Sequence, residues 1–392
     1  MKQSRLVIGI CYHPELYPPT LNAVRELSKC FTSIRLVHRP HLEGTWKYPA
    51  NVTTVASGAV ITPSEQERAS TIRKIWFFLQ FVTDLFRECV RLRPAVILLY
   101  DHQALFAYRL IRPFLFFRHK LWYHNHDIAE LAAFRKFSIG WMACRSEKKM
   151  FSRLDIFTLP TSERLQYFPM EKFKGHYFIV PNYPSLEFYN SFYKPGKDMG
   201  RIRLIFQGRI GEGHGLEEII PLLKKEIRAR RLELVLKGHI SQEYKDRLLR
   251  LAVEHDVTDS ILFAGVTPYA EVPEIASSCH IGIGIFSKRE VMHVTLGTAS
   301  NKLYEYAAVG LPVLYLGEDH FSRHLSQFEW TFAVSLDTGV IEAAIGRIMD
   351  NYEYYSVRAH ESFANGLNFE GYFAPVLDYL KDQGFCSPAE IV

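Results

Sequence analysis

No stretch of the 392 residues is apolar for the length of a bilayer span, so a membrane-crossing helix is not expected. The opening Met-Lys-Gln-Ser-Arg leads straight into a strand-like run, and no cleavable leader is expected. Cysteine is sparse. Cys11, Cys30, Cys89, Cys144, Cys279 and Cys386 are scattered, with no Cys-x-x-Cys pair and no Cys/His spacing that holds zinc, and they read as reduced cytoplasmic thiols. Gly-x-Ser-x-Gly is absent, and no serine, histidine and aspartate are arranged for nucleophilic catalysis. An Asp-x-Asp pair is absent too. A diphosphate would then be neutralised by Arg, Lys and backbone amides, and neither a metal nor a separate cofactor is expected. There is no Walker loop and no clean dinucleotide fingerprint. Disorder is excluded by 48% hydrophobic and 23% charged residues, and a net charge of only +5 gives no reason to expect a nucleic-acid partner.

What charge there is lies unevenly. Between Arg109 and Arg153 stand ten Lys or Arg and only Asp127, Glu130 and Glu147 against them, a local +7 that exceeds the whole chain's +5. Aromatic residues run through the same stretch, among them Phe114, Phe116, Phe117, Trp122, Phe137 and Trp141. A basic, aromatic surface of this kind suits an anionic membrane face or an anionic acceptor, and the plain alternative is a solvated basic face with its aromatics in the core.

The length predicts two domains. Apolar runs at 6–12, 33–38, 52–56, 95–100, 120–126 and 155–159 read as strands, separated by helical stretches that include a long one at 64–92. Pro195, Gly196 and polar neighbours suggest a linker over 184–199. The alternation then restarts: strands at 202–207, 232–236, 261–264, 280–286 and 313–316, with helices at 216–228 and 243–255 and a helical tail from about 340. Two successive doubly wound α/β units follow, Rossmann-like and facing across a cleft. They span 1–185 and 200–367, with a C-terminal helix in 368–392 crossing back to the first.

Residues 298–316 read as a cap, a short helix, a glycine stop at Gly310 with Pro312 behind it, and a buried strand. Thr298 or Ser300 is placed to supply the N-cap oxygen. Asn301 and Glu305 share a helical face with Lys302 beside them, so an amide, an ammonium and a carboxylate gather near one helix N-terminus, a natural seat for phosphate. Upstream, Phe206-Gln207-Gly208-Arg209 leads into a loop with Gly211, Gly213, His214 and Gly215, between a strand and a helix. Such a loop brings backbone amides close to a ligand, and Arg209 at the strand end suits a diphosphate. Gly265-Val266 ends another strand, where a nucleobase can rest on the backbone. In the first half, His124 and His126 alternate with Asn125 and Asp127 at a strand end, and His126 or Asp127 is a candidate for substrate-hydroxyl or acid–base work. His13, just past the first strand, is either an acceptor-side residue or a loop histidine.

In these residues the chain resembles the GT-B glycosyltransferases, in particular the retaining family-4-like group. Phe206-Gln207-Gly208-Arg209, Gly265-Val266 with Tyr269, and Asn301-Lys302-Leu303-Tyr304-Glu305 with Gly310-Leu311-Pro312-Val313 stand in that family's order. Asp155-Ile156, Ser162-Glu163-Arg164 and Val180-Pro181-Asn182 resemble the end of its N-terminal domain. The resemblance implies a nucleotide-diphospho-sugar donor, with Arg209 on its diphosphate, Glu305 on its ribose, and Gly208, His214, Val266, Thr298, Asn301 and Lys302 around them. His126 would face the donor sugar. It implies a hexosyl-type transfer with retention to a hydroxyl of a glycan or lipid-linked acceptor, as in bacterial surface polysaccharide synthesis. The enzyme would be cytoplasmic, at the inner face of the membrane through residues 109–153. Two departures stand out. Gly297 occupies the position, eight before Glu305, where the family often has a second glutamate, and the lysine that often follows the arginine is replaced by nearby His214, with Lys302 in reach to supply that charge. A nucleotide-sugar epimerase of the same fold and a non-catalytic subunit that kept the fold are the alternatives.

Overall fold

The structure, a computed structural model, describes residues 4–41, 44–287, 291 and 295–386. The chain divides into two compact units, one made of residues up to 181 together with those from 372 on, the other of residues 182–371.

Among the described residues, the first unit is built on seven strands: β1 (Arg5–Ile10), β2 (Ser33–His38), β3 (Val52–Ala56), β4 (Val96–Tyr100), β5 (Lys120–His124), β6 (Ile156–Leu159) and β7 (His176–Ile179). They lie side by side in the order β3-β2-β1-β4-β5-β6-β7, every pair parallel. The central strands are apolar throughout because both faces are covered by helices; β4, Val-Ile-Leu-Leu-Tyr, is buried at every residue. The long helical stretch expected at 64–92 is two helices, Pro63–Arg68 and Thr71–Leu92. Ser70 breaks it: its backbone is extended and its hydroxyl caps the Arg73 N–H. The second helix buries Phe77, Phe78, Phe81, Leu85 and Cys89, one face at helical spacing, against the sheet.

The C-terminal segment belongs to this unit. Phe373 stacks on Trp122 and Tyr379 packs on His176 and Phe178, from the helix Phe369–Asp382. Cys30 and Cys386 form a disulfide, 356 residues apart in sequence. The reading of all six cysteines as reduced thiols is thereby corrected for this pair. Cys11, Cys89, Cys144 and Cys279 are free and buried.

The second unit carries β8 (Arg201–Gln207), β9 (Glu226–Ile227), β10 (Arg230–Lys237), β11 (Ile261–Gly265), β12 (Ile281–Gly284), β13 (Val313–Leu316) and β14 (Thr331–Val334). Six form a parallel sheet in the order β11-β10-β8-β12-β13-β14, and β9 pairs antiparallel at the start of β10. The helix expected over 216–228 is only Leu216–Ile219, followed by a tighter turn over Ile220–Lys224. Pro221 has no N–H to continue the α-helix, and Arg228 and Ala229, both at positive φ, reverse the chain into a β9–β10 hairpin. The segment read as a linker is folded into this unit: the helix Leu186–Tyr189 buries Tyr189 completely. Glu370 ties its start, accepting from Ser185 Oγ at 2.6 Å and Leu186 N at 2.8 Å.

Candidate functional site

Three neighbouring strands of the second unit end on glycines. Gly208 N–H donates to the Lys237 carbonyl and Gly238 N–H to the Gly265 carbonyl, each at 2.8 Å. Gly238 sits at φ +136°, and a Cβ there would stand 1.9 Å from the Gly208 carbonyl oxygen, so only glycine lets these strand ends meet. The glycine-rich loop folds back over them: Ile210 N–H reaches the His239 carbonyl, and His214 Nδ1 lies 3.2 Å from the Ile285 carbonyl.

Beside this rim lies the helix Asn301–Ala308. It sits directly on β12, because Cβ atoms at Gly282 and Gly284 would fall 2.2 Å from the Tyr306 ring and from Leu303. Tyr306 anchors it to β8, its hydroxyl accepting from Gln207 N at 2.9 Å and donating to the Ile205 carbonyl at 3.1 Å. Ser300 occupies the N-cap position, but its hydroxyl makes no capping bond. The cap expected from Ser300 is therefore not made. Thr298 lies in the turn Gly297–Ala299, where its carbonyl accepts from Asn182 N at 3.0 Å.

Glu305 is 5% exposed. Its carboxylate accepts from Gln207 Nε2 at 2.6 Å and Tyr269 OH at 3.1 Å, with the buried Tyr189 hydroxyl adjacent. Burial raises the Glu305 pKa; the tyrosines, Gln207 and the Lys302 charge pull it back. Gln207 Oε1 is buried with no partner among the described residues. Lys302 projects over two rings, its Nζ 3.9 Å from the centre of Phe206 and 4.9 Å from that of Phe286, next to Gly208. Among the described residues no carboxylate is in ion-pair contact with it, and burial lowers its pKa to about 7 against the opposing field of Glu305. Lys237, at the end of β10, is buried too and its pKa is likewise lowered by burial. Arg209 is exposed on the same rim, and Val266, 66% exposed, stands open beyond β11. The rim thus collects three basic side chains, Arg209, Lys237 and Lys302, around the hydrogen-bonded Glu305 carboxylate, an arrangement complementary to an anion. Arg209, Lys302, Glu305, Gly208 and His214, chosen from sequence, belong to it. Gln207, Lys237, Tyr189 and Phe286 were missed. Gln207 stood inside a quoted motif, but nothing in the sequence showed its side chain turning toward Glu305.

Gly297 has its own neighbour. A Cβ there would lie 2.6 Å from Cδ2 and 2.7 Å from Nε2 of His324. The space an acid would use is filled. Gly297→Glu is expected to cost about 1–3 kcal/mol through overpacking, read as a lower thermal midpoint, with Gly297→Glu/His324→Ala recovering part of it. An unchanged midpoint in the single variant would show that the space is open.

In the first unit, β4 and β5 end side by side, placing Asp101 and His126 together. His126 is 2% exposed. Its ring lies between Tyr100, stacked at 4.8 Å, and Tyr17, tilted at 4.8 Å, with His124 edge-on at 4.6 Å. Asp101 accepts the His126 N–H at 2.8 Å and faces Nδ1 at 3.2 Å; Thr20 Oγ1 meets Nε2 at 3.2 Å, and Arg164 donates to the His126 carbonyl. Burial alone would raise the Asp101 pKa, but His126 by charge and hydrogen bonds, with His102, holds it below the usual carboxylate value. Asp101 takes φ +62°, uncommon for a non-glycine residue. Asp127 is exposed as a residue, yet enough protein surrounds its carboxyl that loss of water, then the Asp101 charge, raises its pKa. His124 and His126 share a side as the strand alternation required. Asp101 and Arg164 were missed as partners of His126, since both lie more than twenty residues from it. His13 is only 4% exposed; its Nδ1 accepts from Glu15 N at 3.3 Å and its edge meets His38 at 5.0 Å. Burial and then His41 lower its pKa to about 4, so it is a neutral loop cap. Among the described residues, no group of three or more His, Cys, Asp or Glu is placed to hold a metal ion.

Two doubly wound parallel sheets in succession, each with its candidate residues at the carboxyl ends of the strands, define the class of fold. The structural likenesses show that fold directly: it is the two-domain, Rossmann-like GT-B fold. Sucrose-phosphate synthase from Thermosynechococcus elongatus superposes with a TM-score of 0.66 at 12% identity, covering 97% of this chain and 99% of that one. Anabaena Alr3699/HepE in complex with UDP-glucose gives 0.62 at 12%, covering 96% and 99%. A putative UDP-N-acetylglucosamine 2-epimerase from Listeria monocytogenes gives 0.60 at 11%, covering 100% of each. No family model and no curated protein matches the chain by sequence.

Proposed function

We propose that the chain is a glycosyltransferase that moves a hexosyl-type sugar from a nucleoside-diphosphate donor to a hydroxyl of a glycan or lipid-linked acceptor, with retention and without a metal. The observation that carries this reading is the Lys302 ammonium, held over Phe206 and Phe286 beside Gly208 with no carboxylate in ion-pair contact among the described residues. When the bond between the anomeric carbon and the diphosphate breaks, negative charge grows on the departing phosphate. Lys302, Arg209 and the helix N-terminus at Asn301 meet that charge, and they meet it more strongly in the transition state than in the bound donor. Glu305 with Gln207, whose Oε1 is still open, suits a ribose diol and a base edge. His126, with its tautomer steered by Asp101, or Asp127 serves the sugar or acceptor hydroxyl. Metal independence rests on the missing Asp-x-Asp pair and on these cations. UDP and UDP-glucose bound to the Anabaena protein of the same fold support UDP as the first nucleotide to try.

The same segment that carries the local +7 exposes Phe114, Phe137 and Phe116, the last 92% exposed, which supports contact with an anionic membrane face. No helix among the described residues is long and apolar enough to cross a membrane. A cytoplasmic site and a role in bacterial surface polysaccharide synthesis go with this reading. The Cys30–Cys386 disulfide weighs against a reducing compartment, and alkylation of the protein on cell lysis decides, since a cytoplasmic enzyme yields the pair reduced.

The test is a product assay with UDP-sugars, with and without glycan and lipid-linked acceptors. Transfer that falls at least about tenfold in both Arg209→Ala and Glu305→Ala is the expected result; full activity in both variants overturns the site. Donor conversion with no acceptor present would instead establish the epimerase, which the Listeria likeness keeps in view. No binding of any nucleoside diphosphate would leave the non-catalytic subunit, to which Gly297 points.

A further inference from the structure

The first sheet has a second feature at its other end. Around the amino-terminal starts of β1, β4 and β5, away from His126, lies a cavity of about 930 Å3 lined by Arg93, Arg112, Arg118, Lys120 and Arg153. Among the described residues Asp155 is the one carboxylate in its wall, and it is already engaged by Lys120 Nζ at 2.8 Å and Leu121 N at 2.9 Å. Among the described residues none of the four arginines forms an ion pair with a carboxylate. His119, also in the wall, is bonded through Nε2 to the Tyr108 hydroxyl at 2.8 Å, and burial lowers its pKa, so it adds a neutral ring. Arg93 closes the helix Thr71–Leu92 at φ +46°, a left-handed position that favours glycine, yet an arginine stands there and lines the cavity.

Four guanidinium groups around one cavity repel one another; Arg112 bonds the Tyr108 hydroxyl, and among the described residues no carboxylate neutralises any of the four. Guanidinium forks match phosphate oxygens two at a time, which carboxylate-free arginine clusters exploit. Leu115, Phe117, Leu121 and Phe385 add an apolar part to the wall beside the polar Ser4 and Gln383, and the volume exceeds what a bare phosphate fills. We propose that this cavity binds a phosphate-bearing ligand, a phosphomonoester or diphosphate joined to an apolar group, at a site independent of the nucleotide rim.

The test separates the two sites and the two sources of phosphate. Inorganic pyrophosphate is titrated by calorimetry at low salt into Arg209→Ala/Lys302→Met, whose nucleotide rim has lost two cations. In parallel, flotation is measured on vesicles of phosphatidylglycerol in phosphatidylcholine and of phosphatidylcholine alone. The expected result is binding of pyrophosphate, of the anionic vesicles, or of both, reduced at least tenfold by adding Arg112→Ser/Arg153→Ser, a pair of changes that in the parent chain keeps the thermal midpoint and UDP binding. Both arginines are exposed and without carboxylate partners, so this variant folds. Vesicle binding alone identifies a lipid headgroup as the source, and pyrophosphate binding a soluble phosphate. Absence of both, or equal binding by the Arg112→Ser/Arg153→Ser variant, overturns the proposal. Loss of UDP binding in Arg209→Ala/Lys302→Met bears only on the nucleotide rim.

Discussion

Lys302→Met is expected to weaken binding of UDP by roughly 10- to 100-fold, the worth of one charge-assisted bond to phosphate, and to erase the pH dependence of that binding. The free protein holds this lysine at about pKa 7 through burial. A bound diphosphate stabilises the ammonium and raises that value. Below pH 7 the lysine is already charged and binding takes up no proton. Above pH 7 it is neutral in the free protein, so binding must draw one in, and affinity falls by up to about tenfold per pH unit until the pKa of the complex is passed. Calorimetry at pH 8 in buffers of different ionisation heat reads the uptake, approaching one proton in the parent chain and none in the variant. A flat affinity from pH 7 to pH 9 in the parent chain would remove Lys302 from the phosphate site.

Asp101→Asn is expected to lower sugar transfer roughly 100-fold, the scale of a misdirected general acid–base group, while leaving UDP binding within about twofold. Asparagine tolerates the left-handed backbone that Asp101 adopts at φ +62°, so the turn survives. The amide can still accept the His126 N–H, but its NH2 group faces Nδ1 where a carboxylate stood, and the favoured tautomer reverses. His126→Ala should cost a similar factor, and the double variant little more than either, because the two residues act as one unit. The UDP measurement separates this from general damage, since the nucleotide residues lie in the other unit and would not respond. Full transfer in Asp101→Asn would take His126 out of the reaction.

Much of the rim at the second unit's strand ends was legible as pattern. Phe206-Gln207-Gly208-Arg209, Gly265-Val266 and the helix from Asn301 to Glu305 are short, local signals: a strand end, glycines and polar residues at helical spacing. Such signals survive in one dimension because each is decided by neighbours three or four positions away. The helix boundary near Pro221 was misjudged because the tertiary fold needed a hairpin there, and the linker reading failed because Tyr189 fills a hole beside Glu305 that only the folded unit presents. The first unit was harder. His126 was visible, but its partners Asp101, Thr20 and Arg164 come from the starts of two helices and from the tight helical turn Ser162–Tyr167.

By itself, the sequence determined the alternation of buried strands and covering helices in two successive units, and with it the parallel sheets, since a run apolar at every residue is stable only between two helical layers. It determined as well which residues carry charge onto the strand ends. Only the tertiary structure decided what those charges face. It set Lys302 against two aromatic rings, surrounded Glu305 with Gln207 and two tyrosines, packed His324 into the space at Gly297, joined Cys30 to Cys386 and gathered four arginines at the far end of the first sheet. Each of these pairs residues distant along the chain, and their pKa values and open valences arise from desolvation and proximity, which exist only once the chain has packed.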